Sequence, residues 1–188
     1  MTTAQTQTLA PADLTGDYAL DVTHTRLGFV ARHAMVTKVR GSFEDFSGTA
    51  HLDFEDPTKS TATVTFAIAS ISTGQSQRDQ HLRTNDFFDA TSYPEGRFVS
   101  RSVTAKGDGY EMQGDLTIKG VTKPVTIDWE LTGTARDPFG NLRAGFEGRG
   151  VITRKDWGIE YNAALETGGV LISDKITLEF DVSAIKQD

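Results

Sequence analysis

The sequence predicts an all-β protein, an extended antiparallel up-and-down barrel of about eight strands with a short helix in a crossing segment over residues 76–84. Three observations carry this. Apolar and polar residues alternate at a period of two over long stretches, most clearly from Tyr110 to Leu131. Turn signals separate these stretches at short intervals, so that consecutive strands join as neighbours. No long amphipathic helix lies between them, which argues against a βαβ arrangement and for an antiparallel meander. A meander can bury one face as a sandwich or as a barrel; long bent strands with few crossovers favour the barrel, which leaves no exposed edge.

The 188 residues form one domain, since no composition shift or linker divides residues 16–188. Residues 1–15, rich in Thr, Gln and Ala, read as a flexible leader with neither a basic segment nor an apolar run of signal-peptide length, so a cytoplasmic protein without stable membrane insertion is expected. The first strands follow at Tyr18, Leu20 and Val22, then at Leu27, Phe29 and Ala31. Between Val39 and Phe54 the apolar parity shifts from Val39, Gly41 and Phe43 to Phe46, Gly48, Ala50 and Leu52, which is what a β-bulge or sharp bend produces. Ala62, Val64, Phe66 and Ile68 mark the next strand.

From Ser70 to Phe98 the alternation stops over a stretch too long for a hairpin loop. Ser76 and Asp79 fit a capping box, and a helix from about Gln77 to Arg83 would cross one barrel end with Leu82 inward and Phe87 or Phe88 plugging the gap. On that account "RDQHLRTNDFFDA" (Arg78–Ala90) is a structural crossing. Alternatively, Arg78, His81 and Arg83 face an opening and hold an anionic or polar head group, with Lys123 as a further cation at the rim.

Tyr93-Pro94-Glu95-Gly96 and Asp137-Pro138-Phe139-Gly140 suit type I turns, and Lys106 to Tyr110 supplies another turn. A two-residue Lys119-Gly120 loop would pair Ile118 with Val121, Met112 with Ile127 and Tyr110 with Trp129, so that both apolar sets share one face. Ala144, Phe146, Gly148, Gly150 and Ile152 share the face of another strand; the small residues there are either space left for an interior cavity or close packing contacts. Arg154 to Gly158 reads as a turn with an aromatic wedge, and Ile176, Leu178, Phe180 and Val182 form the last strand.

Composition narrows the function classes. Nineteen Lys and Arg against 26 Asp and Glu give a net charge of −7, which repels nucleic-acid phosphates and anionic bilayers at long range. The absence of cysteine excludes disulfides, thiolate metal sites and a Cys nucleophile. His24, His33, His51 and His81 have no zinc-motif spacing, no G-x-S-x-G elbow occurs, and no phosphate-cradling glycine loop precedes a helix, so no cofactor or metal is expected.

The blocks "YALDVTHTRLGFVARH", "GSFEDFSG", "SISTGQSQRDQHLRTNDFFDATSYPEGRFVS", "GDLTIKGVTKPV", "GFEG" and "ITRKDWGI", in this order, resemble the YceI-like family of lipocalin-like, polyisoprenoid-binding proteins over nearly the whole chain after the leader. The resemblance implies an extended eight-stranded lipocalin-like barrel, often a homodimer, enclosing an apolar tunnel for an isoprenoid chain or another long amphiphile. Two departures are that many members carry a signal peptide, and that a first-strand Trp common in the family is here Tyr18.

The expected function is non-catalytic binding, transport or storage of a long-chain amphiphilic lipid: a polyisoprenoid, an isoprenoid quinone or a fatty-acid derivative. The expected tunnel lining is Phe29, Phe43, Phe66, Met112, Ile127, Trp129, Phe146, Leu178 and Phe180, so that Phe146→Trp or Gly148→Leu should block the tunnel in an intact fold. The alternative is a barrel enzyme acting on a lipid or quinone, with His81 and either Asp86 or Asp79 as acid and base. A third reading is a filled-core scaffold that binds only proteins.

Overall fold

The computed structural model describes residues 8–188. Of the leader expected over residues 1–15, residues 1–7 lie outside the described residues. Pro11–Leu14 form a helical turn (α1) whose Leu14 is buried and whose Leu14 carbonyl accepts a 2.6 Å hydrogen bond from the Tyr18 hydroxyl.

Eleven β segments follow, all paired antiparallel: β1 (Gly16–Leu20), β2 (Arg26–His33), β3 (Thr37–Phe43), β4 (Phe46–Leu52), β5 (Thr61–Ala67), β6 (Ile71–Ser72), β7 (Glu95–Lys106), β8 (Gly109–Ile118), β9 (Val121–Arg136), β10 (Leu142–Thr153) and β11 (Lys175–Lys186). The first six are three broken strands. β1 and β2 both pair with β11, while β3 with β4, and β5 with β6, continue one another across short interruptions. Counted so, the sheet is a closed eight-stranded up-and-down barrel, sealed where Tyr18 lies opposite Lys186 and Phe29 opposite Leu178.

The parity change between Val39 and Phe54 is the break at Glu44–Asp45. There the Glu44 N–H donates to the Ser70 carbonyl (3.2 Å) and the Asp45 carbonyl accepts from Ala67 (2.8 Å). Val22–His24 and Ile68–Ser70 interrupt the flanking strands as single 3₁₀ turns, so three neighbouring strands bend together.

Turn chemistry sets the register elsewhere. Lys119 and Gly120 both have left-handed backbones (φ 52° and 73°), as a type I′ hairpin requires, and Ile118–Val121, Met112–Ile127 and Tyr110–Trp129 face one another as expected. The β2–β3 hairpin also turns on two left-handed residues, without Gly or Asn, but leaves three residues between paired His33 and Thr37: Ala34 and Met35 have φ of 51° and 61°, and the Val36 N–H donates to the His33 carbonyl (3.0 Å). At Asp137 the expected turn forms, with the Gly140 N–H donating to the Asp137 carbonyl (3.0 Å). No type I turn forms at Tyr93–Gly96. Glu95 and Gly96 already pair with Ala67 and Phe66 as the start of β7, and the Pro94 carbonyl is taken by the Ile68 N–H (2.9 Å).

The β2–β3 tip, the crossing segment between β6 and β7, the β8–β9 hairpin and the long β10–β11 connection share one end of the barrel, here called the upper end. At the lower end Arg143 ties strands that are distant in sequence: Nη1 donates to Asp21 (2.5 Å) and to the Ser183 hydroxyl (3.2 Å), and Nε donates to Asp137 (2.9 Å). The Arg143 bond, aided by Thr23 and His24, outweighs burial and holds the Asp21 carboxyl far below the usual carboxylate range. Burial would raise Asp137, but bonds from Asn141, Arg143 and the Asn141 and Phe139 N–H groups bring it down to about 2. Depressed folded-state values mean that this stabilisation is complete above the ordinary carboxylate range, near pH 4, and is lost as pH falls toward about 2. Arg143→Met should therefore lower the thermal midpoint at pH 7, and the gap to the native protein should narrow between pH 4 and pH 2 in a melting series followed by circular dichroism.

Candidate functional site

Period-two alternation turns one side of every strand inward, and at this barrel size the inward side chains leave a cavity of about 290 Å³. Its lining is almost wholly apolar and draws on all eight strands. All nine side chains expected in a tunnel line it.

Two aromatic groups face the space. On β2, β3 and β5, Phe43 lies 5.9 Å from Phe29 and 4.6 Å from Phe66, and meets Phe88 of the crossing segment edge-on. On β9, β10 and β11, Trp129 stacks on Phe180 (5.7 Å, 23°) and meets Phe146 edge-on. Tyr18 and Phe54 close around the lower end, where Tyr18 is fully buried.

Each of four lumen aromatics covers a glycine on the neighbouring strand. A Cβ added at Gly41 would sit 2.4 Å from the Phe29 ring, at Gly96 2.2 Å from Phe66, at Gly114 2.3 Å from Phe98 and at Gly148 2.5 Å from Trp129. The glycines thus accept rings, which lie flat against the wall and leave the middle of the barrel open. Gly148 is a close packing contact beside the cavity, and a side chain there displaces Trp129 before it reaches the lumen.

The crossing segment carries α2 (Ser76–Leu82), within the expected span. Its cap is one residue earlier than the expected Ser76: the Gln75 side chain accepts from the Arg78 N–H (2.6 Å). Asp79 is not part of a capping box. It is buried and accepts from both the N–H and the hydroxyl of Thr73 (2.9 and 2.6 Å). Leu82, Phe87 and Phe88 all reach the cavity.

The four residues considered for a polar head group lie outside the cavity lining. Arg78 spends its guanidinium on the Thr73 hydroxyl and carbonyl (2.7 and 2.8 Å), and Arg83 on the Ala69 and Ile71 carbonyls (2.9 and 3.2 Å). His81 pairs with Asp86 (2.8 Å) between the edges of Phe87 and Tyr161. Lys123 is exposed opposite Leu116.

The cation that does line the cavity is Arg154, 4% exposed, at the upper end beside Trp157. The expected turn with an aromatic wedge is there: Trp157 is buried and its Nε1 donates to the Leu116 carbonyl (2.9 Å). Arg154 Nη1 donates to the carbonyls of Ile159 and Tyr161 (2.8 and 2.9 Å), and Nε to that of Ser173 (3.0 Å). Nη2 has no hydrogen-bond acceptor; the Asp174 carboxylate is 3.6 Å away. Burial pushes the Arg154 pKa down, and Asp174 partly offsets this. Among the described residues the only other buried side-chain nitrogen without a partner is Trp129 Nε1, also on a residue of the cavity wall. Residue pattern alone did not reveal Arg154: its one signal was its place beside Trp157.

A family model described as the YceI-like domain matches residues 18–184. The chain belongs to the YceI-like family. It is 41% identical to a UPF0312 protein of Photorhabdus laumondii over 79% of this chain and 78% of that one. Against Protein YceI of Escherichia coli O157:H7 the identity is 39%, covering 80% of each chain. Among solved structures, the YceI protein of Campylobacter jejuni superimposes with a TM-score of 0.72 at 32% identity, covering 84% of this chain and 90% of that one. A polyisoprenoid binding domain from Saccharophagus degradans shares the fold, with a TM-score of 0.64 at 18% identity, covering 90% of this chain and 98% of that one.

Gly148→Leu should push the Trp129 indole out of its stack on Phe180. The expected result is a changed near-ultraviolet tryptophan signal and a loss of about 1–3 kcal/mol in denaturant unfolding, the usual cost of overpacking.

Proposed function

We propose that this protein binds one long-chain amphiphile reversibly inside the barrel, as a carrier or store, with no covalent chemistry. The observation that carries this is the cavity, lined by apolar side chains along the barrel. Empty apolar volume is expensive: at about 24 cal/mol per Å³, a dry void of this size would cost about 7 kcal/mol, comparable to the whole stability of an ordinary domain. A filled-core scaffold would have no reason to carry it. Each buried methylene of a ligand contributes about 0.8 kcal/mol before ordering costs, so a chain of fifteen or so carbons suffices for tight binding.

An isoprenoid chain is the favoured cargo, supported by the fold shared with the polyisoprenoid binding domain of S. degradans. The unpartnered nitrogens of Arg154 and Trp129 favour a chain that carries oxygen over a plain hydrocarbon, because an acceptor would relieve the cost of about 1–3 kcal/mol at each buried donor. The head group is assigned to the Arg154 end, since Arg78 and Arg83 already serve backbone carbonyls. Catalysis by His81 with Asp86 is disfavoured by their position outside the cavity wall, and by Asp79 it is disfavoured by that carboxylate's two bonds to Thr73.

Native mass spectrometry of gently purified protein, with solvent extraction, tests the reading. A released lipid at near-unit occupancy, chemically unchanged on incubation, is expected. Phe146→Trp, which adds bulk beside Trp129, should weaken retention of that lipid at least tenfold while the melting temperature stays within a few degrees. A folded Phe146→Trp variant with undiminished retention would remove the cavity as the binding site.

A further inference from the structure

The upper end carries a second feature that the cavity does not explain. From Val22 to Phe43 the sequence has Arg26, Arg32, Lys38 and Arg40 but no carboxylate, within a chain of net charge −7. This stretch contains all of β2 and β3. Arg32 lies directly opposite Lys38, a like-charge cross-strand pair, and all four cations are exposed. Such pairs destabilise a sheet. Among the described residues none of the four has an ion-pair partner; Arg26 and Arg32 reach only the Ser42 hydroxyl and the carbonyls of Gly41 and Val36.

The hairpin tip is apolar. Met35 is 58% and Val36 74% exposed, and Val170 of the adjoining loop is 38% exposed. Ala34 is bonded to that loop through the Leu171 carbonyl (2.7 Å), so tip and loop form one surface. The tip is also strained. The left-handed backbone suits Gly and Asn, yet Ala34 and Met35 hold it here. A turn of poor intrinsic propensity that presents two apolar side chains to water, behind a collar of unpaired cations, fits a surface that is apolar just below a layer of negative charge.

We propose that the β2–β3 hairpin docks the protein on an anionic lipid bilayer, with Met35 and Val36 entering the interface while Arg32, Lys38 and Arg40 meet lipid phosphates. The chain's net negative charge does not prevent this. Screening limits electrostatic reach to about 8–10 Å at physiological salt, so the bilayer responds to the collar more than to the distant carboxylates. The carboxylates on adjoining elements are Asp181, paired opposite Arg26, Glu179, paired opposite Gly28, Asp174, next to the Ser173 whose N–H donates to the Arg32 carbonyl, and Glu166 on the 165–169 loop.

The test is co-sedimentation of the full chain with phosphatidylcholine vesicles, with and without phosphatidylglycerol, at low and high salt. The native protein should partition onto the phosphatidylglycerol vesicles and be released by salt. The double variant Met35→Ser/Val36→Ser should lose at least about tenfold in partitioning, and Lys38→Glu about fivefold or more. Native mass spectra of both variants should still show tunnel lipid, which separates failure of docking from failure of the cavity reading. Equal partitioning on both vesicle types, or an unchanged double variant, overturns the proposal. So does a concentration-dependent dimer that the double variant abolishes, because the tip would then be a contact between copies of the chain.

Discussion

Everything in this molecule rests on β11 being hydrogen-bonded along both edges. It pairs with β10 on one side and with β1 and then β2 on the other, and this closes a sheet that would otherwise end in two long apolar edges. Closure fixes which side of each strand faces inward, since a slip of one strand by one residue would turn that strand's inward side chains to solvent. The interior is therefore a property of the whole ring, and the Arg143 cluster that joins Asp21, Asp137 and Ser183 fastens that ring near the same closure.

An open lumen inside a closed sheet needs an explanation, because eight strands leave room that side chains usually fill. Here the large side chains fold back onto the wall. The rings of Phe29, Phe66, Phe98 and Trp129 each lie over a glycine of the next strand, so aromatic volume thickens the barrel wall and does not cross its axis. Packing is preserved where it stabilises the sheet and withheld along the centre. That division makes the cavity compatible with a cooperative fold, and a lipid chain would supply the contacts the centre lacks.

The parts most legible in the sequence were those governed by local chemistry. The β8–β9 register followed from two residues, Lys119 and Gly120, and the inward positions of Phe29, Met112, Ile127 and Leu178 followed from alternation alone. Less legible were features set by contacts distant along the chain. Ser76 looks like a cap in isolation, but Gln75 takes that place and Asp79 is drawn away to Thr73. The small residues of β10 left two readings open, because the distance from Gly148 to the Trp129 ring depends on strand pairing that no local pattern encodes. Arg154 was the hardest. An Arg next to a Lys at a strand end looks solvent-exposed, and only the fold of the 154–174 connection buries it among the carbonyls of Ile159, Tyr161 and Ser173.

The breaks at Val22–His24, Glu44–Asp45 and Ile68–Ser70 lie side by side, and across them the strand of β1 and β2 runs two residues longer than its partner made of β3 and β4. Stagger and girth are linked in a closed sheet, so a change of stagger partway along divides the barrel into two lengths that need not share a cross-section. A vessel of that kind is polar in shape even where its lining is uniformly greasy. Its two ends can then differ in girth as well as in charge, Arg154 being the only cation in the lining among the described residues.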